Sequence, residues 1–589
     1  MIRPSAGLHA HEGDRLPVKI YAGLPAAPGV GIGRIHVYQP LPVLLEEETQ
    51  RGDTSPEEEW QRYLEARAKV DRELQRLSEH ASPLIADIFL VHREILFDAT
   101  LSEIVRTYID AGASAAAAIH QATTELIKTF QSLNDAYFAS RSADIRDVGQ
   151  RLLVHLGATP VAKQLTQLPP ETLLVADDLT PFDTTHLDPA KIAGIALAHS
   201  APTAHTAILA RSLGLPMVCG LGNDVLEEKD GTLAIVDGGQ GQLLVDPPPE
   251  MVANYRNAQE RLHRSRAAAE EHAREPAVTR DGRTVPVLAN VNHADEALQA
   301  VEAGADGVGL LRTEYLFQER IAPPTVQTQF EAYLAIAAQM PGRPLTIRLL
   351  DVGGDKPIPY VAQPVEANPF LGLRGIRFLL HHPELLRDQL TALVQLAQER
   401  IASELRILVP MVSLVRELRE FLQIFQQIPG ARECREGGLL RVGAMIEVPS
   451  AAMMAERMAR LVDYLSLGTN DLAQYTLAAD RSNSAVAGLV SALDPTVLRL
   501  IAMTCQAGYV TDTPVAICGE IASDPAATPL LLGLGIQELS VIPPAIPLIK
   551  QAVRHCDLTQ CRQIAEQALR SAQIEDVLRL LALEDAGKG

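Results

Sequence analysis

The stretch VPVLANVNHADEALQAVEAGADGVGLLR, residues 285–312, contains a strand, an amphipathic helix and a second strand in immediate succession. Its two apolar runs, 285–291 and 307–312, have the length of buried strands. The same alternation continues to the end of the chain and predicts six further strands, at 345–352, 405–411, 442–448, 464–468, 514–520 and 538–541. Eight strands with helical crossovers over about 300 residues predict a (β/α)8 barrel of the TIM type over residues 281–577.

The residues before the barrel predict a smaller α/β domain with a helical insertion. Short apolar strands flank a long stretch rich in alanine, leucine, glutamate and arginine, and Ser55 with Glu58 forms a capping box at its start. Four or five helices of this length form a bundle. A charged helix preceded by three prolines then leads to the barrel. The predicted divisions are a polar extension 1–19, an α/β domain 20–45 and 158–247, a helical bundle 46–157, a linker helix 248–280, the barrel 281–577 and a tail 578–589.

Composition and charge argue against several classes of function. The chain has 589 residues and a net charge of −21, from 52 basic and 73 acidic side chains. Nucleic-acid binding needs a basic surface, so we expect none. The six cysteines include no CxxC pair and therefore predict free thiols. The chain contains neither the apolar core of a signal peptide nor the ~20 apolar residues of a membrane span, so we expect a cytoplasmic protein with no membrane insertion.

Charged and polar residues cluster where the predicted barrel strands end, which is the active-site face of such barrels. Singly, each has a structural explanation, such as an ion pair for an arginine or a packed thiol for a cysteine. Their convergence favours a small anion, because arginine forks match phosphate and carboxylate oxygens. Glu447 and Asp471 are ligands that Mg2+ accepts alongside substrate oxygens, so the pattern predicts a phosphorylated carboxylate bound with magnesium. The rim residues are Arg312, Arg348, Asp351, Asp355, Lys356, Arg374, Glu447, Asn470, Asp471, Arg481, Cys518 and Glu520.

Six motifs of the predicted barrel occur in a distinctive order. They are GADGVGLLRTEYLF, DVGGDKPIPY, NPFLGLRGIR, GAMIEVPSAA, SLGTNDLAQYTLAADR and AICGEIASD. They closely resemble the phosphoenolpyruvate-binding barrel of the enzyme I family of the sugar phosphotransferase system, a barrel that also occurs in pyruvate phosphate dikinase and phosphoenolpyruvate synthase. The helical insertion, with LNDAYFASRSADIRDVGQRLL, also resembles enzyme I. The ATP-binding domain of a dikinase, the first alternative, has no counterpart in the sequence.

The resemblance, which covers residues 20–577, implies a substrate site at the barrel mouth. In the family pattern the phosphoryl group of phosphoenolpyruvate lies on the side chains that match Arg312, Arg348 and Arg481. Arg374 lies nearby, and Asn470 and Lys356 complete the substrate-binding residues.

The resemblance also implies the cofactor, the reaction and the partners. Glu447 and Asp471 hold Mg2+, and Cys518 protonates the methylene carbon of the enolate to give pyruvate. His205, in the α/β domain, receives the phosphoryl group and passes it to a histidine of the carrier protein HPr, docked on the helical bundle. The family further implies a homodimer through the barrels.

The loop before His205 departs from the family pattern. The family usually has Gly-Gly-x-Thr-Ser-His, whereas this chain has Ser200-Ala201-Pro202-Thr203-Ala204-His205. Glycine permits positive φ and close backbone approach, so a loop without it has a different shape. Leu349 and Ala473 also replace usual threonines. These departures leave a second alternative open, a non-enzymatic or weakly active relative that senses phosphoenolpyruvate or pyruvate. We interpret His199 as a satisfied or exposed histidine rather than a second nucleophile.

Overall fold

The computed structural model divides into two compact units, Met1–Arg261 and Leu262–Gly589. The structure describes residues 18–38, 54–80, 83–132, 136–156, 165, 168–179, 183–184, 187–200, 205–318, 320, 322–353, 358, 360–361, 366–481, 483 and 486–586. No helix within these ranges is long and apolar enough to cross a membrane.

The first unit contains an eight-stranded mixed sheet. Its strands are β1 Lys19–Ala22, β2 Leu24–Ala27, β3 Val30–Tyr38, β4 Thr172–Ala176, β5 Ile192–Leu197, β6 Met217–Cys219, β7 Leu233–Asp237 and β8 Gln242–Val245. They lie in the order β1-β8-β7-β3-β4-β5-β6-β2, so the first two strands of the chain form opposite edges of the sheet. Strands β3 to β6 are parallel neighbours. The predicted hairpin is present, with Asp237 of β7 opposite Gln242 of β8.

The described residues between β3 and β4 include five helices with defined bounds. They are α1 Pro56–His80, α2 Pro83–Leu96, α3 Ala99–Asp110, α4 Ala115–Ser132 and α5 Ala136–His155. The first begins at the predicted capping box: the Ser55 N–H donates to Glu58 Oε2 at 2.6 Å, and the Glu58 N–H donates to Ser55 Oγ at 3.2 Å. The helices pack around their own apolar core, which includes Tyr63, Val70 and Leu152.

A buried ion network ties helices α2 and α5 together. The His92 Nδ1 atom lies 2.8 Å from Asp147 Oδ2, and Arg151 Nε donates to the same oxygen at 3.0 Å. Arg151 also pairs with Glu73 of α1. Burial raises the pKa of Asp147, but the charges of Arg151 and His92 outweigh burial and lower that pKa to about 2. The ionised form of Asp147 therefore stabilises the folded bundle.

Replacing Asp147 with asparagine should lower the free energy of unfolding at pH 7 by about 3–5 kcal/mol, because the change leaves a buried arginine with one acid partner fewer. The folded-state pKa lies below the unfolded value, so this stabilisation is present above about pH 4 and is lost as the pH falls towards 2. Urea denaturation between pH 2 and 7 measures it. The matched control is Asp110→Asn, at an exposed pair with Arg106; an equal loss in both variants would contradict the assignment.

Two further α-helices with defined bounds follow among the described residues of the first half of the chain. Helix α6, His205–Ser212, begins at the predicted nucleophile, and α7, Pro249–Glu271, lies within the predicted linker segment. The division between the two units falls inside α7. The exact residue limits of the predicted domains stay a prediction.

The second unit confirms the predicted (β/α)8 barrel. Its strands are β9 Val287–Val291, β10 Val308–Leu311, β11 Leu345–Arg348, β12 Leu405–Val409, β13 Leu440–Ile446, β14 Tyr464–Leu467, β15 Val515–Ile517 and β16 Glu538–Val541. All neighbours are parallel, and β16 pairs with β9 to close the barrel. Strand β11 is shorter than predicted. The residues after it, Leu349, Leu350 and Val352, are fully buried, so an apolar loop gives the same pattern as a strand.

Helices surround the barrel. They are α8 Ala294–Glu302, α9 Glu314–Gln318, α10 Val326–Gln339, α11 Ile376–His381, α12 Pro383–Glu399, α13 Val415–Gln426, α14 Ala431–Glu436, α15 Pro449–Met453, α16 Ala455–Ala459, α17 Thr469–Leu477, α18 Pro495–Thr511, α19 Thr528–Leu534, α20 Ile546–His555, α21 Leu558–Arg570 and α22 Ile574–Ala586. Inside the barrel, Tyr464 fills the space beside Gly443, where a Cβ would lie 2.3–2.5 Å from the tyrosine ring. The barrel is therefore a packed core, and its chemistry lies at the rim.

Candidate active site

The barrel brings five of the predicted residues to the carboxyl ends of its strands. Arg348 is the last residue of β11, while Arg312, Glu447 and Cys518 directly follow β10, β13 and β15. Asp471 is the third residue of α17, which follows β14. Because all barrel strands are parallel, these ends share one rim. These five residues therefore lie at the rim where their positions after the predicted strands had placed them.

Five buried ionisable side chains form the rim charge cluster, which we define as Arg348, Asp351, Arg374, Glu447 and Asp471. None is more than 6% exposed. Burying a charge costs free energy unless the charge is paired. Five buried ionisable side chains in one place are therefore poorly explained by a contribution to stability alone.

Arg374 lies at the centre of the rim charge cluster. Its guanidinium donates to Asp351 through Nε at 3.2 Å and Nη2 at 3.1 Å, and to Asp471 through Nη1 at 3.0 Å and Nη2 at 3.3 Å. The remaining N–H donates to the Tyr475 hydroxyl at 3.3 Å. All five N–H groups are thus engaged by protein oxygens. Burial lowers the pKa of Arg374, but the two carboxylates more than offset this and raise it above its ordinary value. The geometry makes Arg374 the residue that holds the two acids in place.

Arg348 has fewer protein partners than Arg374, and one of its N–H donors is unpaired among the described residues. It pairs with Glu314 at the start of α9, and its Nη1 lies 3.4 Å from Asp351 Oδ2. Its Nε is buried and has no hydrogen-bond partner among the described residues. An unpaired buried donor of this kind costs free energy until a ligand oxygen meets it. Glu314 was missed by the sequence argument, although it stands two positions after Arg312 in the same motif.

Glu447 is 1% exposed and accepts a hydrogen bond from the Met411 N–H at 2.6 Å. Burial, followed by the charges of Asp471 and Asp351, raises its pKa to about 8; Arg348 and Arg374 oppose the shift. The site therefore gathers three carboxylates whose mutual repulsion is only partly relieved by its arginines. Among the described residues, no group of three or more histidine, cysteine or acidic side chains has the arrangement of a complete metal site.

Two further predicted residues flank Asp471. Arg481 Nη2 lies 3.7 Å from Asp471 Oδ2 and is partly exposed. Asn470 is tied to Glu520: the Asn470 Nδ2 donates to Glu520 Oε1 and the Glu520 N–H donates to Asn470 Oδ1, both at 3.0 Å. This reciprocal pair sets the orientation of the amide.

Cys518 is 4% exposed and lies under the rim. Ser466 Oγ donates to its Sγ at 3.5 Å, and Sγ–H donates to the Leu467 carbonyl at 3.5 Å. Burial raises the pKa of the Cys518 thiol, whereas Ser466 lowers it. The thiol is therefore protonated at neutral pH and can act as an acid. Ser466 was not predicted, because a small polar residue inside a strand carries no signal of its own.

The described part of the chain does not place the side chains of three predicted residues. Lys356, with Asp355, lies outside the described residues. Only the main chain of His205 is described, as the first residue of α6. The loop positions 201–204 also lie outside the described residues. His199 is more than half exposed and its Nδ1 lies 2.5 Å from Asp177 Oδ1, as expected of a satisfied surface histidine.

Family models of phosphoenolpyruvate-utilising enzymes match the chain in three places. The PEP-binding domain model matches residues 266–558, the N-terminal model matches 22–141, and the mobile-domain model matches 168–241. The barrel with its charged rim and these matches together define the class of the protein as a phosphoenolpyruvate-utilising enzyme.

Three relatives indicate which family within this class the chain resembles. The multiphosphoryl transfer proteins of Rhodobacter capsulatus and Xanthomonas campestris are 42% and 39% identical over 84% and 95% of this chain, which spans 59% and 66% of their lengths. The phosphoenolpyruvate-protein phosphotransferase of Haloferax volcanii is 37% identical over 96% of this chain and 99% of its own length. The chain belongs to the phosphoenolpyruvate-protein phosphotransferase family.

Proposed function

We propose that the chain takes the phosphoryl group of phosphoenolpyruvate onto His205, releases pyruvate, and passes the phosphoryl group to a histidine of the carrier protein HPr. This is the first step of sugar uptake by the phosphotransferase system. The observation that carries the proposal is the rim charge cluster, because buried arginines held by buried carboxylates suit a small, highly charged anion with a divalent cation.

Arg312, Arg348 and Arg481 bind the phosphoryl oxygens in this proposal. Two of them have capacity left for a ligand: Arg348 keeps its unpaired Nε, and Arg312 has no ion-pair partner among the described residues. Asn470 orients the substrate through its fixed amide, and Lys356 adds positive charge. Arg374 lies next to these residues and holds Asp351 and Asp471 in position.

Glu447 and Asp471 fit a Mg2+ ion. Hard carboxylate oxygens are its preferred ligands, and two protein carboxylates completed by substrate oxygens are a common set. The raised pKa of Glu447 supports the assignment, since a cation would relieve the repulsion among the three acids. When bound, Mg2+ neutralises the charge of the transferring phosphoryl group.

The transfer then follows from the residue types. The neutral imidazole of His205 attacks phosphorus, the bond between phosphorus and the bridging oxygen breaks, and the enolate of pyruvate remains. The Cys518 thiol gives its proton to the methylene carbon of that enolate, and pyruvate leaves. Phosphoryl transfer depends on positioning and charge neutralisation, which the arginines supply.

The helical bundle supplies the docking surface for HPr in this proposal. Leu90 and Phe97 expose apolar side chains at and just beyond α2, and the guanidinium of Arg67 lies 5.2 Å from the Phe97 ring centroid. Exposed apolar side chains with cationic neighbours are typical of the core of a protein–protein interface. We also place the protein in the cytoplasm, because its six cysteines are buried thiols, which a reducing compartment preserves.

A homodimer through the barrels completes the proposal. Helix α18 packs beside α15 and α16, and these helices and the residue after α15 expose Met453, Met454, Met503, Tyr509 and Val510. Exposed apolar groups of this extent mark an interaction surface.

Replacing Tyr509, which is 81% exposed, with glutamate should weaken the dimer by about tenfold or more, because a charge would then enter an apolar interface. Sedimentation velocity over a concentration series measures the effect. The control is Leu298→Glu, an exposed leucine on α8. The same sedimentation behaviour in both variants would count against this surface.

The proposed function is tested with phosphoenolpyruvate carrying a labelled phosphoryl group. The chain should become labelled in the presence of Mg2+, release one pyruvate per label, and lose the label to added HPr. Absence of labelling would favour the sensing alternative, and labelling only with added ATP would favour a dikinase.

A further inference from the structure

A row of buried polar side chains connects helices α10 and α12 to the ends of strands β10 and β11. We define it as the inner polar network: Thr313, Gln329, Tyr333 and Gln389, none of which is more than 2% exposed. A buried polar group costs free energy unless it is hydrogen-bonded, and apolar side chains of the same shape would fill this space at no greater cost. The polar atoms of the inner polar network therefore call for an explanation beyond packing.

Gln389 of α12 is the centre of the inner polar network. Its Oε1 accepts a hydrogen bond from the Leu350 N–H at 3.0 Å. Its Nε2 donates to Thr313 Oγ1 at 3.3 Å and to the Tyr333 hydroxyl at 3.1 Å. A main-chain N–H can only donate, so the amide oxygen of Gln389 must face Leu350 and the amide nitrogen must face the two hydroxyls.

Each hydroxyl that accepts from Gln389 donates to a further acceptor. Thr313 Oγ1 donates to the Arg348 carbonyl at 3.0 Å, and the Tyr333 hydroxyl donates to Gln329 Oε1 at 3.3 Å. Burial raises the pKa of Tyr333, so its hydroxyl stays protonated and able to donate. The order of donors and acceptors from Gln389 to the Arg348 carbonyl is therefore fixed, and neighbouring hydrogen bonds in such a chain strengthen one another.

The inner polar network joins the two segments that carry Arg312 and Arg348. Thr313 directly follows Arg312 in the chain. Leu350 lies two positions after Arg348. Strands β10 and β11 are paired only as far as Leu311, so the ladder ends before either segment reaches the rim. Beyond that point, the threonine hydroxyl and the glutamine amide connect the two segments.

We propose that Gln389 is a positioning residue, which sets the spacing of Arg312 and Arg348 by holding the main chain beside each of them. The inference rests on the proposed function, in which both arginines bind phosphoryl oxygens. The Nε of Arg348 is buried without a partner among the described residues, so the position of its main chain decides where this donor meets a ligand oxygen. A misplacement of about 1 Å in a substrate-binding group can cost about a hundredfold in rate.

Gln329 separates this role from a purely structural one. It is the same type of residue as Gln389, is 1% exposed, and bonds to the same hydroxyl of Tyr333. Its Nε2 donates to the Pro324 carbonyl at 3.1 Å, which lies before α10 and away from the strand ends. Replacing Gln329 therefore removes a buried amide from the inner polar network without releasing either arginine segment.

The test follows pyruvate release by the full chain against phosphoenolpyruvate concentration, with Mg2+ and excess HPr. Methionine matches glutamine in length but has no N–H, so Gln389→Met should raise KM by about tenfold to a hundredfold, with a smaller change in kcat. Gln329→Met, the matched control, should leave KM within about twofold of the native value. Urea denaturation measures the stability of each variant, and both glutamine variants should lose stability.

Thr313→Val is a milder variant of the same test, because it removes one hydroxyl and keeps the shape of the side chain. It should raise KM by about threefold to tenfold, and it decides the question if Gln389→Met does not fold. Combined with Gln389→Met, it should raise KM little further, because both changes break the same chain of hydrogen bonds. Effects that multiply in the double variant would contradict the proposed connection.

Arg312→Ala separates the inference from the proposed function. If Arg312→Ala keeps the native KM, the proposed role of that arginine is wrong. If Arg312→Ala raises KM while Gln389→Met and Thr313→Val keep the native value, the inference about Gln389 is wrong. Equal increases in Gln389→Met and Gln329→Met would also overturn it, because a general loss of packing would then explain both.

Discussion

His205→Ala should lower transfer of the phosphoryl group from phosphoenolpyruvate to the chain by more than about 10^4-fold, because the substitution removes the imidazole that accepts the group in the proposed transfer. Labelling with phosphoenolpyruvate and Mg2+, followed by acid treatment that cleaves phosphohistidine, measures the loss.

The control for this experiment is His199→Ala. His199 precedes the same loop but is exposed and bonded to Asp177, so its removal should leave labelling close to that of the native chain. Binding of phosphoenolpyruvate to the barrel should survive in His205→Ala, which calorimetry can verify. Label that persists in His205→Ala, or disappears in His199→Ala, would assign the nucleophile elsewhere.

Glu447→Gln should lower kcat by about 10^2-fold or more and weaken Mg2+ binding, because it removes one of the two carboxylates that we propose as ligands of the ion. In the native chain the pKa of Glu447 is raised to about 8, so Mg2+ must displace a proton at lower pH. The apparent affinity for Mg2+ should therefore fall as the pH drops below 8, by at most about tenfold per pH unit. In Glu447→Gln this dependence should largely vanish.

Calorimetric titration of Mg2+ at pH 6, 7 and 8 makes the measurement. The control is Glu538→Gln, the same change at a carboxylate that pairs with Arg406 at the opposite end of the barrel. Glu538→Gln should retain both the affinity and its pH dependence. A pH-independent affinity in the native chain would contradict the assignment of Glu447 as a ligand that is protonated before the metal binds.

The periodicity of apolar residues predicted the barrel, because each strand is a short buried run bounded by a helix of recognisable length. It also predicted the rim, since Arg312, Glu447 and Cys518 directly follow such runs. Strand β11 shows the limit of the method, as Leu349 and Leu350 are buried without being in the sheet. A run of apolar residues indicates that a segment is buried. It does not indicate whether the segment forms hydrogen bonds with a neighbouring strand.

Pairing between side chains could not be predicted in the same way. Arg374 meets Asp471 across 97 positions, and Asn290 meets Cys518 across 228. These contacts depend on which strands are neighbours in the barrel and on their register. The sequence around each residue does not indicate either. Ser466 and Ser540 look alike in the sequence, and only the barrel shows that one touches the sulfur and the other does not.

The sheet of the first unit has a consequence for synthesis on the ribosome. Strand β1 pairs with β8, so this strand has no partner until the chain is 220 residues longer. At ~5–20 residues per second this interval lasts roughly 10–45 s. The helices of the insertion, which pack mainly on one another, can form during that time, whereas β1 stays an unpaired edge. A nascent chain that stalls before Gln242 would thus carry a folded bundle beside an open, aggregation-prone sheet.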